Sequence, residues 1–124
     1  MTPEELVAAS RLLSSHGDRR LGSNRYIAAA LLLRQALEDA LEAFWQDRAP
    51  GLEHCSGRAQ MVSLPFFTST PATAADVSYA WYRLSSICHH HAYELPPSHN
   101  EIDALANIVD DFTAQTGSAS VATR

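Results

Sequence analysis

Residues Asn24 to Arg48 contain neither proline nor glycine, and their large apolar side chains recur at the period of an α-helix. On a wheel turning about 100° per residue, Tyr26, Ile27, Ala30, Leu33, Leu37, Leu41, Phe44 and Trp45 form one stripe. A helix this long must bury that stripe against other helices. A chain of 124 residues has room to do so around one core.

The rest of the chain is punctuated as helices. Thr2-Pro3-Glu4-Glu5 supplies a capping threonine, a proline in the first turn and a glutamate three residues after the cap, which predicts a helix to about Ser15. His16-Gly17-Asp18 breaks it, and the polar stretch to Gly22 is a connection. Ser23 or Asn24 caps the long helix, and Ala49-Pro50-Gly51 ends it. A shorter helix is expected over residues 57–64, before Pro65. After a turn-like stretch at 68–73, Thr73 and Asp76 resemble a capping box for a helix reaching the histidine run near residue 90. Pro96-Pro97 cannot lie inside a helix, and Ser98 with Glu101 forms a second box for a last helix ending near Thr116.

No segment alternates with period two, and there is no internal repeat. The expectation is an all-α antiparallel bundle of four main helices plus one short helix. It forms a single domain over 1–116, with a flexible, small and polar tail at 117–124.

Several classes are excluded or disfavoured. At 46% hydrophobic and 19% charged, the chain is neither disordered nor fibrous. Its longest apolar run, 26–33, has eight residues, well short of the roughly 18 of a membrane span. The first residues begin a capping pattern rather than a basic region followed by an apolar one, so no secretory signal is expected. Two cysteines do not make a disulfide framework, and a reducing cytoplasm is the expected setting. A net charge of −5 argues against coating nucleic acid non-specifically, which requires neutralising many phosphates. A local site where a few of the nine arginines converge remains open.

Two arginines stand out. Arg34 falls within the stripe of the long helix, where it either pairs with Glu38 four residues on or serves a site or subunit seam. On the fourth helix Val77, Ala80, Trp81, Leu84, Cys88 and His91 make the apolar stripe, and Arg83 lies away from it. If that helix continues, His90 returns to within about 20° of Arg83, with Tyr79 and Asp76 flanking, while His89 projects about 120° to the other flank. Arginine beside histidine suits phosphodiester cleavage. Histidine exchanges a proton near neutral pH, and the forked guanidinium holds a phosphate oxygen. The same spacing also describes a solvated helix face.

Arg83-Leu84-Ser85-Ser86-Ile87-Cys88-His89-His90, followed by His91-Ala92-Tyr93, resembles the signature of the HEPN superfamily of small helical-bundle proteins. That signature is an arginine and a histidine separated by four to six residues near the end of a late helix. Arg83 to His89 leaves five between and Arg83 to His90 leaves six. Ala36-Leu37-Glu38, ahead of an aromatic cluster, resembles the family's early helices, and the similarity covers the order of helices from about residue 23 to 115. Directly after the arginine, where active members usually place a polar residue and often asparagine, this chain has Leu84.

The resemblance implies one of two functions. One is a metal-independent endoribonuclease whose composite site spans a homodimer. Arg83 would then bind the scissile phosphate, and His89 or His90 would activate the 2′-hydroxyl or protonate the leaving oxygen. Toxin-like members also have a neutralising protein partner. The other is a catalytically silent homodimeric binding module, with Phe44, Trp45, Tyr79, Trp81 and Tyr82 as aromatics to bury against a twin or another protein.

No cofactor and no metal is expected. His89, His90, His91 and His99, with Cys88 and the pair His54-Cys55, offer enough nitrogen and sulfur, but consecutive helix residues fan out by about 100° and do not converge on one ion. Cys88 beside His89 diverges in the same way and reads as a core cysteine. A glycine-rich phosphate loop, a nucleophile elbow and a metalloprotease motif are all missing from the sequence.

Overall fold

The computed structural model describes residues 1–16, 22, 24–89 and 95–122, with side chains as far as residue 116. The helices are α1 (Pro3–His16), α2 (Asn24–Arg48), α3 (Gly57–Ser63), α4 (Pro71–Cys88) and α5 (His99–Ala122). Single 3₁₀ turns at Leu52–His54 and Leu64–Phe66 flank α3. No strand occurs among the described residues, so the all-α expectation of four main helices and one short one is met.

The hydroxyl caps set most of the starts. Thr2 Oγ1 accepts from the Glu5 N–H at 3.1 Å, Ser56 Oγ from Ala59 at 3.1 Å and Ser98 Oγ from Glu101 at 3.1 Å. For α4 the cap is Thr70 rather than Thr73. Thr70 Oγ1 accepts the Thr73 N–H at 3.2 Å, and Pro71, with φ preset for a first turn and no N–H to satisfy, starts the helix. Gly51, at φ 107°, turns the chain out of α2 in a left-handed conformation open to glycine.

Two ends differ from expectation. α4 stops at Cys88, and the His89 N–H divides between the Ser85 and Ser86 carbonyls at 3.2 Å each, tightening the last turn. Two serines followed by histidines are weak helix formers, in keeping with an end before His89. α5 continues to Ala122, past Thr116, because the small residues there include no proline and each added residue contributes one more backbone bond.

Sequential main helices run antiparallel, as do α1 and α5, whereas α2 and α5 pack side by side in the same direction. Ser14 Oγ and His99 Nδ1, 2.8 Å apart, join the end of α1 to the start of α5. Nearer the start of α1, Arg11 Nη2 donates to Asn107 Oδ1 at 2.6 Å and Arg11 Nη1 to Asp110 Oδ2 at 3.4 Å. The Tyr26 ring at the start of α2 lies 6.4 Å from the His99 ring, and Phe44 near its end lies 5.3 Å from Phe112. One pole of the bundle therefore holds the ends of α1 and α4 and the starts of α2 and α5, and the other pole holds the reverse.

The core runs between the poles through Leu33, Leu37, Leu84, Leu105 and Val109, each fully buried. α1 comes close to α2 across small side chains, where the buried Ser10 Oγ donates to the Ala29 carbonyl at 2.8 Å. Trp45 is the largest fully buried side chain, and its indole N–H donates to Gln60 Oε1 at 3.0 Å. Gln60 Nε2 in turn donates to the Cys55 carbonyl at 3.0 Å, so one amide ties α2, α3 and the intervening turn together. Gln60→Leu strands the indole N–H, and a loss of about 1–3 kcal/mol is expected in urea denaturation.

Candidate functional site

α4 and α5 meet at the pole where α4 ends, and there Arg83 is engaged. Its Nε donates to Glu101 Oε2 at 2.6 Å and its Nη2 to Glu101 Oε1 at 2.8 Å, two parallel bonds of the fork-to-fork kind. Both side chains are about seven-tenths buried. Glu101 stands in the first turn of α5, where the helix dipole favours a carboxylate. Its backbone N–H is capped by Ser98 Oγ, so the first half of the capping box forms. The second half does not, because the glutamate carboxylate crosses to α4 instead of returning to its own helix.

Glu101 is thus the residue that sequence reasoning missed in this role. It was visible as the box glutamate, but its partner depends on the packing of α4 against α5, which local spacing does not encode.

The other sequence-marked groups are spread out. His89 is exposed at the C-cap of α4, with φ −101° and ψ 30°, and Arg83 is directed at α5. His90, His91 and Tyr93 lie outside the described residues, and with them the expected alignment of His90 with Arg83. Leu84, at the family's polar position, is fully buried in the core. Arg34 forms the i, i+4 ion pair with Glu38, Nε to Oε1 at 3.1 Å, at the edge of the α2 stripe.

Among the described residues the candidate metal ligands do not gather. His54 is exposed with Nε2 3.5 Å from Glu53 Oε1, Cys55 is exposed, Cys88 is half-buried, and His99 is taken by Ser14. Among the described residues no group of three or more histidine, cysteine, aspartate or glutamate side chains is arranged to hold an ion.

The aromatics divide sharply. Phe44 and Trp45 are core, and Trp81 is half-buried with its ring over Gly57, where any Cβ would overlap it. Tyr79 and Tyr82 stand 54% and 48% exposed on the outward face of α4. That face is poor in charge. α4 exposes the single carboxylate Asp76, whereas α1 exposes Glu4 and Glu5, α2 exposes Glu38, Glu42 and Asp47, and α5 exposes Asp103 and Asp111.

No described helix is long and apolar enough to cross a membrane. Comparisons with protein-family models, with curated proteins and with solved structures find no match to this chain.

Proposed function

We propose that this protein is a HEPN-like interaction module without nuclease chemistry, pairing with a second copy of itself through the outward face of α4. The observation that carries the reading is the state of Arg83. Its fork, the group a scissile phosphate would need, already holds a carboxylate in two short bonds. An isologous contact sets a patch against itself, so in an acidic chain it favours the face with least like-charge repulsion. Tyr79 and Tyr82 supply that face with large amphipathic side chains of low conformational cost. The reading sets the protein in a reducing cytoplasm, in keeping with two cysteines that are both free thiols.

Multi-angle light scattering at micromolar concentration is expected to give twice the 13.6 kDa chain mass. Tyr79→Arg/Tyr82→Arg is expected to run as a folded monomer. A wild type that stays monomeric at these concentrations overturns the pairing.

A second reading is favoured by one observation, the exposure of His89 at the end of the helix that carries Arg83. In it Arg83, with His89 or His90, cleaves RNA without metal at a site completed by the dimer, and Glu101 yields to the substrate phosphate. A neutralising partner protein would then hold the activity in check. The two readings separate in an RNA cleavage assay containing EDTA. The silent module gives no cleavage. Cleavage that disappears in Arg83→Ala and in His89→Ala/His90→Ala establishes the nuclease, and cleavage unchanged by Arg83→Ala removes this site from consideration.

A further inference from the structure

At the pole opposite Arg83, the end of α2, the turn after α3 and the later part of α5 enclose a groove of about 730 Å³. This lies within the range of small-molecule sites, roughly 300–1,000 Å³. Phe44, Phe67 and Phe112 wall the groove. The Phe44 and Phe112 ring centroids are 5.3 Å apart, and Phe67 stands edge-on to Trp45 at 5.5 Å. Phe66 also lines the groove and is 82% exposed, a large apolar surface with no cover among the described residues.

Among the described residues the one charged side chain lining the groove is Arg48. Its guanidinium carbon sits 4.7 Å over the Phe44 ring, which fixes the plane of the fork. Its Nε lies 3.8 Å from Asp47 Oδ2, beyond hydrogen-bonding distance, and its two Nη atoms donate to no acceptor among the described residues. The Arg48 side chain is nonetheless seven-tenths buried. A guanidinium resting over an aromatic ring at an apolar groove, with Nη atoms that no described side chain engages, is set up to receive a planar anion.

Among the described residues no carboxylate lines the groove, although the chain as a whole carries a charge of −5. The walls favour an apolar body, and the single cation favours one carboxylate.

We infer that this groove binds a small carboxylic acid with an aryl or alkyl tail, its carboxylate on the Arg48 fork and its tail among the phenylalanines. Arg48 provides the charge selectivity and Phe66 closes over the tail. This site is independent of the proposed self-pairing, which uses the outward face of α4.

The test is isothermal titration of the whole chain with 4-phenylbutyrate and, separately, with the uncharged 4-phenylbutanamide. Saturable one-to-one binding of the acid is expected, with the amide about tenfold weaker, the scale of one charge-assisted hydrogen-bond pair. Arg48→Gln is expected to bring the acid down to the amide's affinity. Phe66→Ser, at an exposed position, is expected to weaken acid and amide alike by about fivefold to tenfold through lost apolar contact. Circular dichroism melts verify that both variants fold. Failure of the folded wild type to saturate at millimolar acid, equal binding of acid and amide, or an Arg48→Gln variant that binds the acid as wild type does would each overturn the assignment.

Discussion

Trp45→Ala is expected to lower the unfolding free energy by about 3–5 kcal/mol, the range for deleting a buried large aromatic. The indole is fully buried, packs edge-on against Phe44 at 4.9 Å and Phe67 at 5.5 Å, and donates to Gln60. Truncation removes that packing, opens a cavity between α2 and the turn after α3, and leaves the Gln60 carbonyl without its donor. A domain of this size has about 5–15 kcal/mol in total, so the variant stands near the edge of folding. Urea denaturation followed by far-ultraviolet circular dichroism measures the loss without relying on the deleted fluorophore. A change below about 1 kcal/mol would show that Trp45 is not a central core residue, since surface substitutions are the ones that stay within roughly half that value.

Leu84→Asn is expected to destabilise by about 3–5 kcal/mol and to confer no RNA cleavage. The substitution installs the polar residue that active members of the resembled superfamily often carry after their arginine. In this bundle, however, position 84 is fully buried on the inner face of α4. An amide there loses leucine's packing and must find partners among apolar neighbours. Leu84→Met, of similar volume, is expected to cost less than about 1.5 kcal/mol. An asparagine variant as stable as wild type would place position 84 at a polar surface, and RNA cleavage by that variant would favour the nuclease reading.

The contrast at position 84 shows which kinds of information the sequence carries. Helix starts are local, since a hydroxyl and an N–H three residues on belong to the same turn, and Thr2, Ser56 and Ser98 act within that distance. The α2 stripe is also local, because burial follows the 3.6-residue period and Leu33, Leu37, Leu41, Phe44 and Trp45 are all inside. For α4, the capping-box spacing points to Thr73, but the cap is Thr70, three residues earlier, because Pro71 starts the helix there. The destination of Glu101's carboxylate is a tertiary choice between its own backbone and an arginine eighteen residues away in the chain. Its spacing matches a capping box whichever partner it takes. The groove is still less legible. Phe44, Phe66 and Phe112 come from three separate segments, and only the course of the helices, with α2 and α5 running side by side in one direction, brings them to one pole.

That course also governs how the molecule can be tethered. Because α1 rises toward the Arg83 pole and α5 descends from it, anything joined ahead of Pro3 or beyond Ala122 leaves from the groove's side of the bundle. Arg83 lies twelve residues beyond Pro71 on α4, which at about 1.5 Å each sets it roughly 18 Å from that side. A carrier domain, an affinity tag or an immobilising surface attached at either end would therefore crowd the phenylalanine groove while the Arg83–Glu101 pair faces away from it. Ligand titrations consequently call for the untagged chain, whereas work on the α4–α5 pole tolerates attachment at either end.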